Sequence, residues 1–165
     1  MDIIIKKMET EAEVRGKAFV HWSAWHETYP GLVKQSYLDQ LTPEMCEEIA
    51  FRWRDNILVA KDGDRVVGFV GYGEPDGSVG EVFALYVLPS CYRQGVGHRL
   101  MAAAKAQLIG CEQLRLWVLR ENRRAIRFYQ AEGFFPDGAE KWNPLIETAE
   151  IRMTLRSPVL RSDTP

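Results

Sequence analysis

The residues best suited to chemistry by type and spacing are Arg93, Gln94, Gly95, Val96, Gly97 and His98. They follow a β-prone run, Glu81 to Leu88, and lead into a stretch where Val96, Leu100, Met101, Ala104 and Leu108 recur at helical spacing. A strand, a glycine turn and a helix in this order aim free backbone N–H groups at an anion. The first turn of a helix has unpaired donors and the positive end of the macrodipole. Gly95 and Gly97 remove the side chains that would hold a diphosphate away, and Arg93, backed by Arg99, adds guanidinium donors. A tight turn that binds nothing fits the glycine pattern equally well. Two nucleotide motifs are excluded. A P-loop needs Gly-Lys-Ser/Thr where this chain has Gly97-His98-Arg99, and a dinucleotide fingerprint needs glycine where Leu100 stands.

These residues sit in 165 amino acids with 46% hydrophobic content, enough for one domain with a substantial core over residues 1–156; residues 157–165 are expected to form a mobile tail. The formal net charge of −2 and a pI near 6.0 argue against nucleic acid as a partner. Cys46, Cys91 and Cys111 form no C-x-x-C, and with His21, His26 and His98 they show no metal-ligand spacing, so no metal is expected. No apolar run approaches the ~20 residues of a membrane span and no secretion-signal pattern is visible, so the expectation is a cytoplasmic protein with no membrane partner.

The elements that must position the glycine loop are also legible. Ile3 to Lys7 reads as a first strand. Glu11 to Tyr29 reads as an amphipathic helix with Val14, Ala18, Trp22, Trp25 and Tyr29 on one face, stopped by Pro30-Gly31. Short helices are predicted over Leu32 to Gln40 and, capped by Thr42, over Pro43 to Arg54. Asn56 to Lys61 and Arg65 to Tyr72 are strands joined by Asp62-Gly63-Asp64, and Gln113 to Leu119 is a further strand. Asn122 caps a helix to Glu132, Gly133 ends it, and Phe134-Phe135 begins a strand. Pro136 to Gly138 turns, and Ile146 to Leu155 closes the sheet. The order implies an α+β (mixed α/β) domain. Its sheet is mostly antiparallel, with a parallel central pair joined by a right-handed crossover.

The run from Glu81 to Met101 resembles the core motif of the GNAT superfamily of acyl-CoA-dependent N-acyltransferases, Gln/Arg-x-x-Gly-x-Gly/Ala, with Gly95 and Gly97 at the small positions. Tyr92 departs from the usual Gln or Arg. Asn122 to Phe134 is similar to the family's second motif, N-x-x-A-x-x-F-Y-x-x-x-G-F, and the likeness spans Ile3 to Leu155.

The resemblance implies a central strand splayed from its neighbour to bind CoA, helices on both faces, and acetyl-CoA as co-substrate. It also allows a homodimer. It places the diphosphate on the amides of Gln94 to His98 and the pantetheine arm along the backbone of Leu85, Tyr86 and Val87. Asn122, Ala125 and Phe128 would contact the arm from the other side. Tyr129 would act on the leaving thiolate. Glu81 is the candidate base for an ammonium whose pKa is near ~10, although an ordinary solvated strand glutamate is an equal reading. His26 and Tyr29 are candidate acceptor contacts within an aromatic group that includes Trp22, Trp25 and Tyr37, and Glu140 and Glu147 could face a cationic acceptor. The expected function is transfer of an acetyl group from acetyl-CoA to a primary amine of a small molecule or peptide, by direct attack in a ternary complex. The alternative is a CoA-binding sensor without turnover, in which Glu81 and Tyr129 would have no use.

Overall fold

A computed structural model describes residues 2–156. The segment expected to be a mobile tail lies outside the described residues. In chain order the elements are β1 (Ile3–Lys7), α1 (Glu11–Thr28), α2 (Gln35–Gln40), α3 (Pro43–Arg52), β2 (Ile57–Asp62), β3 (Arg65–Gly73), β4 (Val79–Val87), α4 (Val96–Gln107), β5 (Gln113–Leu119), α5 (Arg123–Ala131), β6 (Phe135–Asn143) and β7 (Thr148–Arg156). The strands form one seven-stranded sheet in the order β1-β2-β3-β4-β5-β7-β6, antiparallel throughout except for the parallel pair β4–β5. This is the mixed, mostly antiparallel α+β architecture expected. Helices α1 and α3 pack together on one face, and α4 packs on the other. Between them the core holds Val14, Ala18, Val59 and Phe69, then Leu100, Met101, Leu116, Phe134 and Met153, all almost wholly buried.

Local chemistry explains most boundaries. Thr10 and Glu13 form a reciprocal capping box at the start of α1. The Thr42 hydroxyl accepts from the Met45 amide, and Pro43 occupies the first helical position of α3. Gly63, with φ 60°, makes the β2–β3 turn.

Two expectations are corrected. Residues 32 to 34 do not join α2, because the amides of Leu32 and Val33 fold back onto the Tyr29 carbonyl in a turn beyond Gly31. Pro136 to Gly138 is not the closing turn. Proline and a φ 93° glycine interrupt the register inside β6 instead, between Pro136 and Glu140. The chain actually reverses over residues 144 to 147, where the Asn143 side-chain oxygen accepts from the Leu145 amide and Glu147 takes φ 50°. Consequently β7 starts at Thr148 rather than Ile146.

The feature that shapes the site is a bulge in β4. Tyr72 pairs with Val82 and Gly71 with Ala84, leaving Phe83 without a partner. Its exposed ring lies over Gly73, where an added Cβ would come within 2.7 Å of it. The extra residue reverses the inside–outside alternation. Before it, Gly80 faces Leu108 and Cys111 on the α4 side; after it, Leu85 and Val87 take that side, and Tyr86 turns toward α1 against Phe69 and His21. The β4–β5 ladder stops at the same place. It holds only from Val79↔Gln113 to Val82↔Leu116, after which β4 pairs with β3 alone and β5 with β7 alone.

One buried carboxylate ties α1 to this sheet. Glu13, whose side chain is 3% exposed, accepts from Lys6 of β1 at 2.6 Å, from Lys61 of β2 at 3.0 Å, and from the amides of Glu9 and Thr10. Burial by itself would push this carboxyl up, but the hydrogen bonds from Lys6, the two amides and Lys61 outweigh it and hold it far below the ordinary range. A depressed carboxylate pKa contributes stability that is present above the unfolded value and lost as pH falls toward the folded one. Glu13→Gln is therefore expected to cost about 3 kcal/mol at neutral pH. In urea melts, the gap to wild type should narrow steadily below about pH 4.3; a gap independent of pH would contradict the assignment.

Candidate active site

Where β4 and β5 part, a cleft of about 600 Å³ opens between the two faces of the sheet. At one end it is floored by the turn that follows β4. After the short 3-10 turn Pro89–Cys91, Arg93 adopts φ 62° and Gly95 φ 77°, and α4 begins at once. A left-handed arginine costs roughly 1 kcal/mol, and alternating backbone of this kind curls successive N–H groups around an anion. Side chains from Thr10, Thr42 and Asn122 cap α1, α3 and α5, whereas α4 has no side-chain cap. Its first N–H groups, on Val96, Gly97 and His98, have no acceptor within the helix and border the cleft. Gly97 also lets α4 and α5 close on one another, since an added Cβ would press on the Phe128 ring at 3.3 Å.

One wall is the edge of β4 that β5 has left, from Phe83 to Val87. The facing wall is α5, with Asn122, Ala125, Phe128 and Tyr129. Asn122 is buried, and its side-chain oxygen accepts from the Ala125 amide at 3.2 Å, which fixes the start of the helix. Arg124 lays its guanidinium on the Tyr92 ring, 3.9 Å from the centroid, beside the glycine turn. Burial, and secondarily the nearby Tyr86, push the Tyr129 phenol well above its ordinary value, so it keeps its proton throughout the physiological range.

The other end lies on the α1 face, under Ala24, Trp25, Thr28 and Tyr29. The Tyr29 and Tyr86 hydroxyls are hydrogen-bonded at 3.0 Å, and the Trp25 ring meets Tyr29 edge-on, with centroids 4.6 Å apart. Burial pushes both phenols up, and the Glu150 carboxylate adds to the effect. His21 stacks near Tyr86, and burial, then Lys17, depress it to about 4, so it is neutral at pH 7. Among the described residues, the buried Trp25 indole N–H meets no hydrogen-bond acceptor. Trp117, Asn143, Ile146 and Glu150 complete this end.

Most of the residues expected from the sequence meet here. Leu85, Tyr86, Val87, Arg93, Gly95, Val96, Gly97, His98, Asn122, Ala125, Phe128, Tyr129 and Tyr29 all line the cleft. Five expected residues do not. Glu81 lies on the zipped part of β4, below the bulge, and its carboxylate accepts from Arg115 Nε at 2.7 Å, while Arg115 Nη2 donates to Asp76 at 2.7 Å. His26 faces a separate shallow groove, with its ring nitrogens 2.9 Å from the Trp22 carbonyl and 2.8 Å from the Leu38 carbonyl. The Gln94 side chain turns away to donate to the Ser90 carbonyl at 3.2 Å. Glu140 pairs with Arg120, and Glu147 lies 3.8 Å from Lys34, so neither faces the cleft.

Glu150 was not singled out from the sequence, yet it is the one carboxylate among the described residues that line the cleft. The available signal was strand parity. With Met153 buried, Glu150 stands on the opposite face from it, next to Leu119. Among the described residues no group of His, Cys, Asp or Glu could hold a metal ion, and no helix is long and apolar enough to cross a membrane.

Comparison with known proteins adds independent findings. Residues 19–134 match the Acetyltransferase (GNAT) family. An uncharacterized N-acetyltransferase of Bacillus subtilis, YuaI, is 32% identical over 152 residues, covering 86% of this chain and 83% of the relative. The peptidyl-lysine N-acetyltransferase YiaC of Escherichia coli is 30% identical over 130 residues, covering 79% and 74%. In three dimensions the chain is similar to the PaiA N-acetyltransferase of Thermoplasma acidophilum, solved in complex with coenzyme A. The TM-score is 0.75, with 21% identity over 94% of this chain and 99% of the other.

Removing the α5 cap tests the construction of the wall directly. Asn122→Ala is expected to cost about 1 kcal/mol, lowering the thermal midpoint by about 2–4 °C. An unchanged midpoint would mean that the Asn122 side chain does not hold the helix start.

Proposed function

The chain belongs to the GNAT acetyltransferase family, and from that premise we propose that it transfers an acetyl group from acetyl-CoA to a primary amine of a small molecule or peptide, by direct attack in a ternary complex. The observation that carries this reading is the uncapped start of α4, set at the foot of a cleft whose wall is an unpaired strand edge. The residues present fit the co-substrate. The first amides of α4, with Arg93 alongside, suit a diphosphate. The free edge of β4 suits the two amides of a pantetheine arm, which would bond to it as an added strand, with Asn122 and Phe128 opposite. An acceptor that is a primary amine accords with the lysine named for YiaC.

The chemistry then follows from where the groups stand. The neutral amine nitrogen forms a bond to the thioester carbon, the carbon–sulfur bond breaks, its electron pair leaves with the sulfur, and the nitrogen gives up its surplus proton to solvent water. An N–H of the β4 edge suits the carbonyl oxygen as charge builds on it. Tyr129 lines the cleft near Tyr86 and retains its proton, so it can donate a hydrogen bond to the departing sulfur. Its pKa lies well above the ~8.5 of a thiol, so full transfer of that proton would run uphill. The tyrosine therefore stabilises the thiolate by hydrogen bonding. Glu81, held by Arg115, has no part in this scheme.

In an assay of thiol release from acetyl-CoA with a panel of primary amines, release is expected to depend on the amine. Gly97→Val, which forces α4 and α5 apart, should abolish coenzyme A binding by calorimetry. Tyr129→Phe should lower kcat about ten- to a hundredfold with coenzyme A affinity unchanged. Because the phenol is held above its ordinary pKa, the ratio of wild type to Tyr129→Phe should stay level through about pH 10, where an ordinary tyrosine is half ionised. Coenzyme A binding without release on any amine would overturn the reading, and equal kcat in Tyr129→Phe would remove the tyrosine from it.

A further inference from the structure

The two ends of the cleft carry opposite charge. Arg93 and Arg124 stand at the α4 end, and Glu150 stands at the α1 end. Glu150 lies on β7, opposite Leu119 of β5 on one side and Lys141 of β6 on the other. The part-buried carboxylates Glu13, Glu81 and Glu132 each have a cationic partner at 2.6 to 3.7 Å. Glu150 has none within 4.0 Å among the described residues, and there its one side-chain hydrogen bond is from Asn143 Nδ2 at 3.5 Å, the limit for such a bond. The neighbouring cations are occupied elsewhere. Lys141, directly opposite in register, rests its ammonium on the Trp117 ring, 4.1 Å from the centroid, and Arg152 Nε donates to Asp137 at 2.6 Å. A half-buried carboxylate left without a counter-ion is costly unless something else supplies one.

The surroundings define what that would be. Trp25, Tyr29, Tyr86, Trp117 and Ile146 line the same end. These walls suit an apolar stem, and their aromatic faces favour a cation beside it. We propose that Glu150 is the anchor for the acceptor's ammonium group, selecting primary alkylammonium ions on an apolar or aromatic stem over neutral amines. This rests on the acyl-transfer reading for the identity of the guest as an acceptor. The ion binds charged and must pass a proton to solvent water before it can attack, so the anchor acts on acceptor binding, and its loss should appear in the acceptor KM more than in kcat. Glu150 is in this sense a specificity residue, not a catalytic one.

The test titrates the full chain, saturated with coenzyme A, with two probes of nearly equal shape: 2-phenylethylamine, a cation at pH 7, and O-benzylhydroxylamine, which is neutral there. Trp25 and Trp117 in the cleft allow tryptophan fluorescence to follow binding. The wild type is expected to hold the cation at least about tenfold more tightly. Glu150→Gln should erase that preference by weakening the cation alone, with coenzyme A affinity unchanged as the check on folding; Glu150→Asp should keep part of it. A merely structural role would weaken both probes alike. Equal affinities in the wild type, binding of neither probe, or a preference that survives in Glu150→Gln would each overturn the proposal. The two readings fail separately. Cation preference without thiol release on any amine would leave the anchor standing and remove the transferase. Amine-dependent thiol release without cation preference would do the reverse.

Discussion

Everything at the site depends on the parting of β4 from β5. Backbone N–H and C=O groups away from water are almost always paired, and β4 gives up its partner halfway along, between Val82 and Ala84. The fold leaves a second set of unmet donors beside the first, at the uncapped start of α4. One linear ligand, with amides in its middle and phosphates at its end, would satisfy both sets together. An exposed strand edge alone would be a liability for pairing with other chains. Here it faces α5 across the cleft.

The bulge at Phe83 does two jobs through one extra residue. It ends the β4–β5 ladder, and it flips the side-chain parity of everything beyond it. Leu85 and Val87 thus pack toward α4, while Tyr86 turns to the other face and meets Tyr29. The α4-side wall and the α1-side wall of the cleft are alternate side chains of the same short strand. Glu81, before the bulge, stays in the zipped region with Arg115, which is why a glutamate only five residues from Tyr86 is excluded from the cleft.

Helix α1 spans the distance between a structural anchor and the site. Its first turn is pinned to β1 and β2 through Glu13, and its last turn delivers Trp25 and Tyr29 to the α1 end of the cleft. The pinning is electrostatic and buried, so it fixes position at the expense of acid stability. The delivery is aromatic, through edge-on contact of Trp25 with Tyr29 and the paired hydroxyls. Charge follows the same axis, basic beside the glycine turn and acidic beside the aromatic walls.

Local rules were enough to read much of this from the chain. Thr42 and Asn122 announce helix starts, Gly63 and Gly95 mark turns that need positive φ, and hydrophobic periodicity separates helix from strand. These are interactions among neighbours in sequence, and the glycine turn with its helix start is the same kind of signal. Other features were settled only by the tertiary structure. Pro136 to Gly138 has turn residues but became a bulge, because Pro144 and Asn143 made the better reversal and β6 had a partner in β7 to run along. Glu81, His26 and Glu150 are decided by groups distant in sequence: Arg115, the Leu38 carbonyl, and, among the described residues, neighbouring cations Lys141 and Arg152 that are held by Trp117 and Asp137 instead of pairing with the third. Spacing along the chain states which face of an element a residue occupies. What that face meets across the sheet depends on register and packing, which the order of residues encodes only through the whole fold.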